Sequence, residues 1–152
     1  MRAEPTFRGD LEFLSNFWYV TFSFEDADYI SVEHAYQASK FLDPEIRKRF
    51  QGHGLTPGEA KGLASELKDH GLLRPDWWEV NISIMEDLVG QKFRHVTLLR
   101  MLVATGNMEL VEGNYWHDNF WGSCTCYKCR KKIKFNHLGK ILMRIRREAR
   151  GG

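Results

Sequence analysis

The sequence predicts a mainly α fold, an α-rich α+β domain with a few short N-terminal β-strands. Two observations carry this expectation. From Ser31 onward, capping residues, helical apolar stripes and Gly or Pro stops follow one another along the chain. Before that point, residues 7 to 24 are rich in Phe, Tyr, Val and Thr, which favour strands. The 152 residues suffice for a single domain, 1–152, that buries a core without disulfide staples.

Strands are expected near Phe7 and from Trp18 to Phe24, followed by a turn at Glu25-Asp26-Ala27-Asp28. Ser31 is the N-cap of a helix running to about Leu42. Asp43 and Pro44 supply the next N-cap and first helical position, for a short helix to about Gln51 that Gly52-His53-Gly54 breaks. Thr56-Pro57-Gly58-Glu59 spells a capping box and opens a helix ending near Gly71. A longer helix starts at Asp76 and reaches about Arg94; another spans about Val96 to Thr105 and stops at Gly106. Glu109 to Glu112 reads as a short strand. Asn136 caps a last helix with Leu138, Ile141, Leu142 and Ile145 on one stripe.

No apolar run approaches a membrane span, and the N-terminus lacks a charged-then-apolar signal pattern, so cytoplasmic residence without membrane contact is expected. Cys124, Cys126 and Cys129 are an odd number within six positions, which suits a reducing compartment better than a disulfide framework. The net charge of +2 conceals an asymmetry: Lys128 to Arg150 holds ten Lys or Arg against one acid, Glu148. Such a region suits contact with a polyanion such as nucleic acid. A solvated helix face explains it equally well.

The stretch Asn114-Tyr115-Trp116-His117-Asp118-Asn119-Phe120-Trp121-Gly122 follows neither a helical nor an alternating period. Rings beside hydrogen-bonding groups suit a flat polar ligand such as a nucleobase; a loop that plugs the core with tryptophans is the other reading. On the first long helix, Glu33, Gln37 and Lys40 fall in a narrow sector at about 100° per residue, with Tyr36 at its edge. A carboxylate and an amine two turns apart can work as an acid/base or nucleophile pair, and can equally be a solvent-facing stripe. The helix dipole at the first turn favours the charged form of Glu33, which suits a base or a stabiliser of positive charge. Cys124-x-Cys126-x-x-Cys129 with His137 can complete a zinc tetrahedron, or the thiols can be free and His137 can help cap the last helix. No metal and no cofactor is assigned.

Several segments match one family in order and spacing. They are Phe13-Leu14-Ser15-Asn16-Phe17, Val32-Glu33-His34-Ala35-Tyr36-Gln37-Ala38 with Lys40-Phe41, Glu59-Ala60-Lys61, Lys92-Phe93, Thr105-Gly106 and Leu110-Val111-Glu112. Asn114, Asp118, Trp121-Gly122 and Asn136-His137-Leu138-Gly139-Lys140-Ile141-Leu142-Met143 complete the set. Together they resemble the NADAR (YbiA-like) family over nearly the whole chain. The resemblance implies a mainly α fold and a hydrolase that cleaves N-glycosidic bonds, with no cofactor. It implies one of two substrate classes. One is ADP-ribose on the guanine amino group of nucleic acid, placed there by a partner ADP-ribosyltransferase toxin. The other is the small ribosylamino-pyrimidine phosphates of riboflavin synthesis. A non-catalytic reader of ADP-ribose or nucleic acid is the reading from a different class.

Carried over by motif, the implied catalytic residues are Glu33, Lys40 and Asp118. The implied substrate-binding residues are Asn16, Phe17, Trp78, Asn114, Trp116 and Trp121. Arg8, Lys61 and Lys92 are candidate cations for a diphosphate. The sequence departs from the family's habit at Trp18-Tyr19, where Tyr-Pro is common, and at Tyr29-Ile30, where an aromatic residue precedes proline. Catalysis by all three residues requires the first long helix and the aromatic stretch to serve one cavity.

Overall fold

The computed structural model describes residues 7–151. The chain divides into two compact units, one of Asn16–Lys92 and one of Met1–Ser15 with Phe93–Gly152. Helices dominate both, as the mainly α expectation requires.

The Asn16–Lys92 unit opens with a hairpin. Strands β1 (Phe22–Phe24) and β2 (Ala27–Tyr29) pair antiparallel, Phe22 opposite Tyr29. Glu25 and Asp26 alone make the turn, at φ 49° and 65°. A two-residue turn needs this left-handed backbone to follow the strand twist. It releases Ala27 and Asp28 into β2, so the turn is shorter than expected. The strand expected from Trp18 starts only at Phe22, although the Val20 N–H still reaches the Ile30 carbonyl.

Helix α1 (Val32–Ala38) has the expected N-cap: the Ser31 hydroxyl accepts from the His34 N–H at 3.1 Å. The helix ends a turn earlier than expected. Arg74 takes the carbonyls of Lys40 and Ser39, at 2.9 and 3.3 Å, and so diverts the chain before Leu42. Helix α2 (Pro44–Arg47) begins where Asp43 accepts from the Glu45 N–H, then tightens into a 3-10 turn at Lys48–Phe50. Helix α3 (Pro57–Asp69) carries the full Thr56/Glu59 capping box. Helix α4 is Trp77–Lys92. Helix α1 packs against both α3 and α4. Ala35 and Ala38 on α1, and Ala60 and Ala64 on α3, are buried. Their small side chains allow the helix axes to approach closely.

In the other unit, Gly9–Leu14 forms a 3-10 turn where a strand near Phe7 was expected. Helix α5 (Val96–Ala104) packs on helix α6 (His137–Ala149), which buries Leu138, Ile141 and Leu142. Two arginines of the basic C-terminal region are structural. Arg146 donates to Thr105 Oγ1 and the Met108 carbonyl, both at 2.8 Å, and Arg150 donates to the Val103 carbonyl and Asn107 Oδ1. Both therefore tie α6 to the C-terminal end of α5 and the turn that follows it.

Asn136 does not cap α6 with its side chain. Its Oδ1 accepts from the Glu112 N–H and its Nδ2 donates to the Leu110 carbonyl, each at 3.0 Å. These side-chain bonds take the place of a strand ladder, so Glu109 to Glu112 is not a strand. The parallel pair lies one step on, β3 (Gly113–Asn114) with β4 (Ser123–Cys124). Gly122 and Gly139 are required by packing: a Cβ on either would collide with a carbonyl oxygen, of Glu112 and Leu110 respectively. No helix among the described residues is long and apolar enough to cross a membrane.

Candidate active site

In the Asn16–Lys92 unit, α1 is buried along its whole length, including its polar sector. Glu33 is 7 % exposed and Gln37 4 %. This excludes the solvent-facing stripe. Gln37 Nε2 donates to Glu33 Oε2 at 2.7 Å, which orients the carboxylate. The Glu33 N–H donates to the Asn16 carbonyl at 3.0 Å, fixing the Asn16-Phe17 segment at the helix start.

Lys40 follows the last turn of α1, and Arg74 holds its carbonyl. Its ammonium lies 5.5 Å from the centre of the Tyr36 ring and 5.8 Å from that of Trp77. Ring faces attract a cation at this range. Burial nevertheless dominates and lowers the Lys40 pKa to about 8; the Glu33 carboxylate opposes the shift, and Lys68 and Lys61 add to it. Lys40 therefore gives up its proton more readily than an exposed lysine does.

Three buried polar atoms in the same unit have no hydrogen-bond partner among the described residues: Asn16 Oδ1, Gln37 Oε1 and Asn81 Nδ2. Asn16 Nδ2 is held by the Met85 sulfur at 3.5 Å. Buried polar atoms are rarely left unmatched. Two acceptors and a donor of this kind fit a polar ligand edge.

Helix α4 presents Trp77, Asn81 and Met85 at successive turns of its buried face. Trp77 is 2 % exposed and Trp78 68 %, so the ring beside Lys40 belongs to Trp77. The twin tryptophans are indistinguishable by composition; the spacing Trp77, Asn81, Met85 was the signal for the inward one. Phe17 is exposed. Among the candidate cations, Arg8 and Lys61 are exposed, whereas Lys92 is fully buried.

In the other unit, the aromatic stretch links β3 to β4. Buried Asn114 organises it: its Oδ1 accepts from the N–H groups of Trp116 and Asp118, at 3.2 and 3.1 Å, and its Nδ2 donates to the Asp118 carbonyl at 2.7 Å. Asp118 Oδ1 accepts from the N–H groups of Phe120 and Trp121, at 3.1 and 2.9 Å. Trp116 is half exposed, while Trp121 meets the Phe120 ring edge-on at 4.9 Å. His137 joins the same aromatic group, stacked on Phe135 at 5.4 Å. The imidazole beside the thiols is that of His117.

The sequence matches the NADAR domain model over residues 6–150. It is 38 % identical over 130 residues to the N-glycosidase Npun_R5314 of Nostoc punctiforme, covering 83 % of this chain and 78 % of that protein. It is 32 % identical over 137 residues to the riboflavin biosynthesis protein VVA0006 of Vibrio vulnificus, covering 90 % of this chain but 35 % of that protein. The chain thus spans about a third of the Vibrio protein's length. The solution structure of Escherichia coli YbiA superposes with a TM-score of 0.77 at 27 % identity, over 95 % of this chain and 82 % of that one.

Proposed function

The chain belongs to the NADAR family, and on that premise we propose that it is a hydrolase cleaving an N-glycosidic bond between ribose and an exocyclic amine. The carrying observation is the buried Glu33 carboxylate on α1 together with the half-buried Lys40 just past the end of that helix, whose pKa is brought to about 8. Two relatives matched by this chain bear the name N-glycosidase, in Nostoc punctiforme and Escherichia coli.

Breaking the bond at the ribose C1 builds positive charge on the sugar. The Glu33 carboxylate, held by Gln37, stabilises that charge or takes a proton from the attacking water. Lys40 serves by one of two routes. As ammonium it protonates the departing amine. As free amine it attacks C1 of the ring-opened sugar, displaces the amine and leaves a Schiff base that water hydrolyses. Borohydride added during turnover distinguishes them: a reduced adduct at Lys40 supports the second route, and clean turnover without any adduct eliminates it. Asn16 reads a polar edge of the substrate. Trp116 and Trp121 are stacking rings, and Asn114 and Asp118 shape the loop that carries them, Asp118 through its carboxylate.

The leading substrate is ADP-ribose attached to guanine in nucleic acid. It is supported by the exposed run Lys128, Arg130, Lys131 and Lys132, in which the Arg130 guanidinium lies 4.4 Å from the Tyr127 ring centre. The second reading, a ribosylamino-pyrimidine phosphate, is favoured by relatives named riboflavin biosynthesis proteins in Vibrio vulnificus and Zea mays. The test offers the protein a guanine-ADP-ribosylated oligonucleotide and the pyrimidine compound side by side. Faster release from the oligonucleotide upholds the leading reading; release from the pyrimidine compound alone replaces it with the second. Tight binding with no release from either would make the protein a reader.

A further inference from the structure

We propose that His117, Cys124, Cys126 and Cys129 form a tetrahedral zinc site that fastens the aromatic loop to the cysteine stretch. The four ligand atoms lie within 4.8 Å of one another. His117 Nδ1 is 3.3 Å from Cys129 Sγ, 3.4 Å from Cys126 Sγ and 4.0 Å from Cys124 Sγ. One ring nitrogen has a single lone pair or a single hydrogen, so it cannot bond three sulfurs at once. An ion at their centre explains the arrangement. With Zn–S and Zn–N bonds of ordinary length, the N-to-S edge of a tetrahedron is roughly 3.6 Å, which falls inside the observed range.

The surroundings suit a thiolate site. The N–H groups of His117 and Cys126 both point at Cys124 Sγ, at 3.3 and 3.5 Å. Such N–H···S bonds orient and stabilise a coordinating sulfur. Binding Zn²⁺ releases three thiol protons to solvent and leaves imidazole neutral, with its hydrogen on Nε2. The cluster then carries a net charge of −1, which Lys128, Arg130, Lys131 and Lys132 are close in sequence to offset. Cys124 and Cys129 are buried, and four protein ligands leave no open position, which marks a structural rather than a catalytic metal.

His117 is the informative ligand. It stands between Trp116 and Asp118 and holds φ 73°, a left-handed conformation rare for a non-glycine residue. Coordination would hold that backbone in place and fix the direction in which Trp116 projects. This site is independent of the proposed hydrolase reading, because it uses neither Glu33 nor Lys40.

The test is metal analysis of the full-length protein purified without chelator, with cobalt substitution as a second readout. About one zinc per chain is expected, together with the visible bands of tetrahedral thiolate-bound cobalt. His117→Ala should lose most of the metal, whereas His137→Ala should keep it. If His117→Ala does not fold, His117→Cys should fold and bind zinc through four thiolates. Zinc well below one per chain with no cobalt bands would overturn the proposal. So would a disulfide between any two of the three cysteines in protein handled under argon, or equal metal loss in His137→Ala and His117→Ala.

Discussion

Lys40 combines two opposing demands. Its ammonium is attracted by two rings and a carboxylate, yet burial lowers its pKa from 10.5 to about 8. Below about pH 8 folded and unfolded chains both carry the proton, so the cost of burying the charge is present in full. Between about 8 and the unfolded value only the unfolded chain holds it, and stability rises with pH. Lys40→Met should therefore be more stable than the natural protein near pH 7, by on the order of 1 kcal/mol. That advantage should shrink by pH 10. Urea midpoints at the two pH values measure it, and a gap that does not change with pH would mean that Lys40 is solvated. Turnover carries the same signature: if Lys40 attacks as amine, the rate climbs through pH 8, and if it donates a proton, the rate falls there.

Helix boundaries set by adjacent residues were legible in the sequence, because caps are local chemistry. Ser31, Asp43 and Thr56 all accept the expected backbone N–H. Thr56→Ala should cost about 1 kcal/mol in thermal melts and leave turnover unchanged. What escaped the sequence was settled by distant partners. Asn136 stands at the expected N-cap position of α6, but its side chain clasps residues 24 and 26 positions away instead of capping the helix. The end of α1 was set by Arg74 from 35 positions on. The imidazole beside the three thiols is that of His117, whereas His137, the other candidate in the sequence, stacks on Phe135. No local pattern encodes such choices. They make specific demands on glycine: Gly122→Ala, whose methyl would strike the Glu112 carbonyl, should cost about 2 kcal/mol or more. Thermal melts showing no loss would mean that the β3–β4 pair opens freely.

Family membership covers nearly the whole chain, and the catalytic candidates it implied lie in both compact units. Glu33 and Gln37 were legible as one sector of a helix, which ends before Lys40; the burial of Glu33 and Gln37 was not, because α1 packs against the distant helices α3 and α4. The basic C-terminal region was legible as charge, but not as two roles: Arg146 and Arg150 close α5, while Lys128, Arg130, Lys131 and Lys132 stay exposed. If nucleic acid is the substrate carrier, Lys131→Glu with Lys132→Glu should weaken kcat/KM for an oligonucleotide about tenfold at low salt. It should leave a small ribosylamino phosphate unaffected. Equal losses on both would assign these lysines to folding instead. The most direct test is single-turnover release of the ribosyl group from the exocyclic amine, comparing the natural protein with Glu33→Gln. Glu33→Gln keeps the size and hydrogen-bonding capacity of the side chain that faces Gln37. Release should slow by about a hundredfold or more with an unchanged melting temperature; release at the natural rate would show that the buried carboxylate of α1 takes no part in the chemistry.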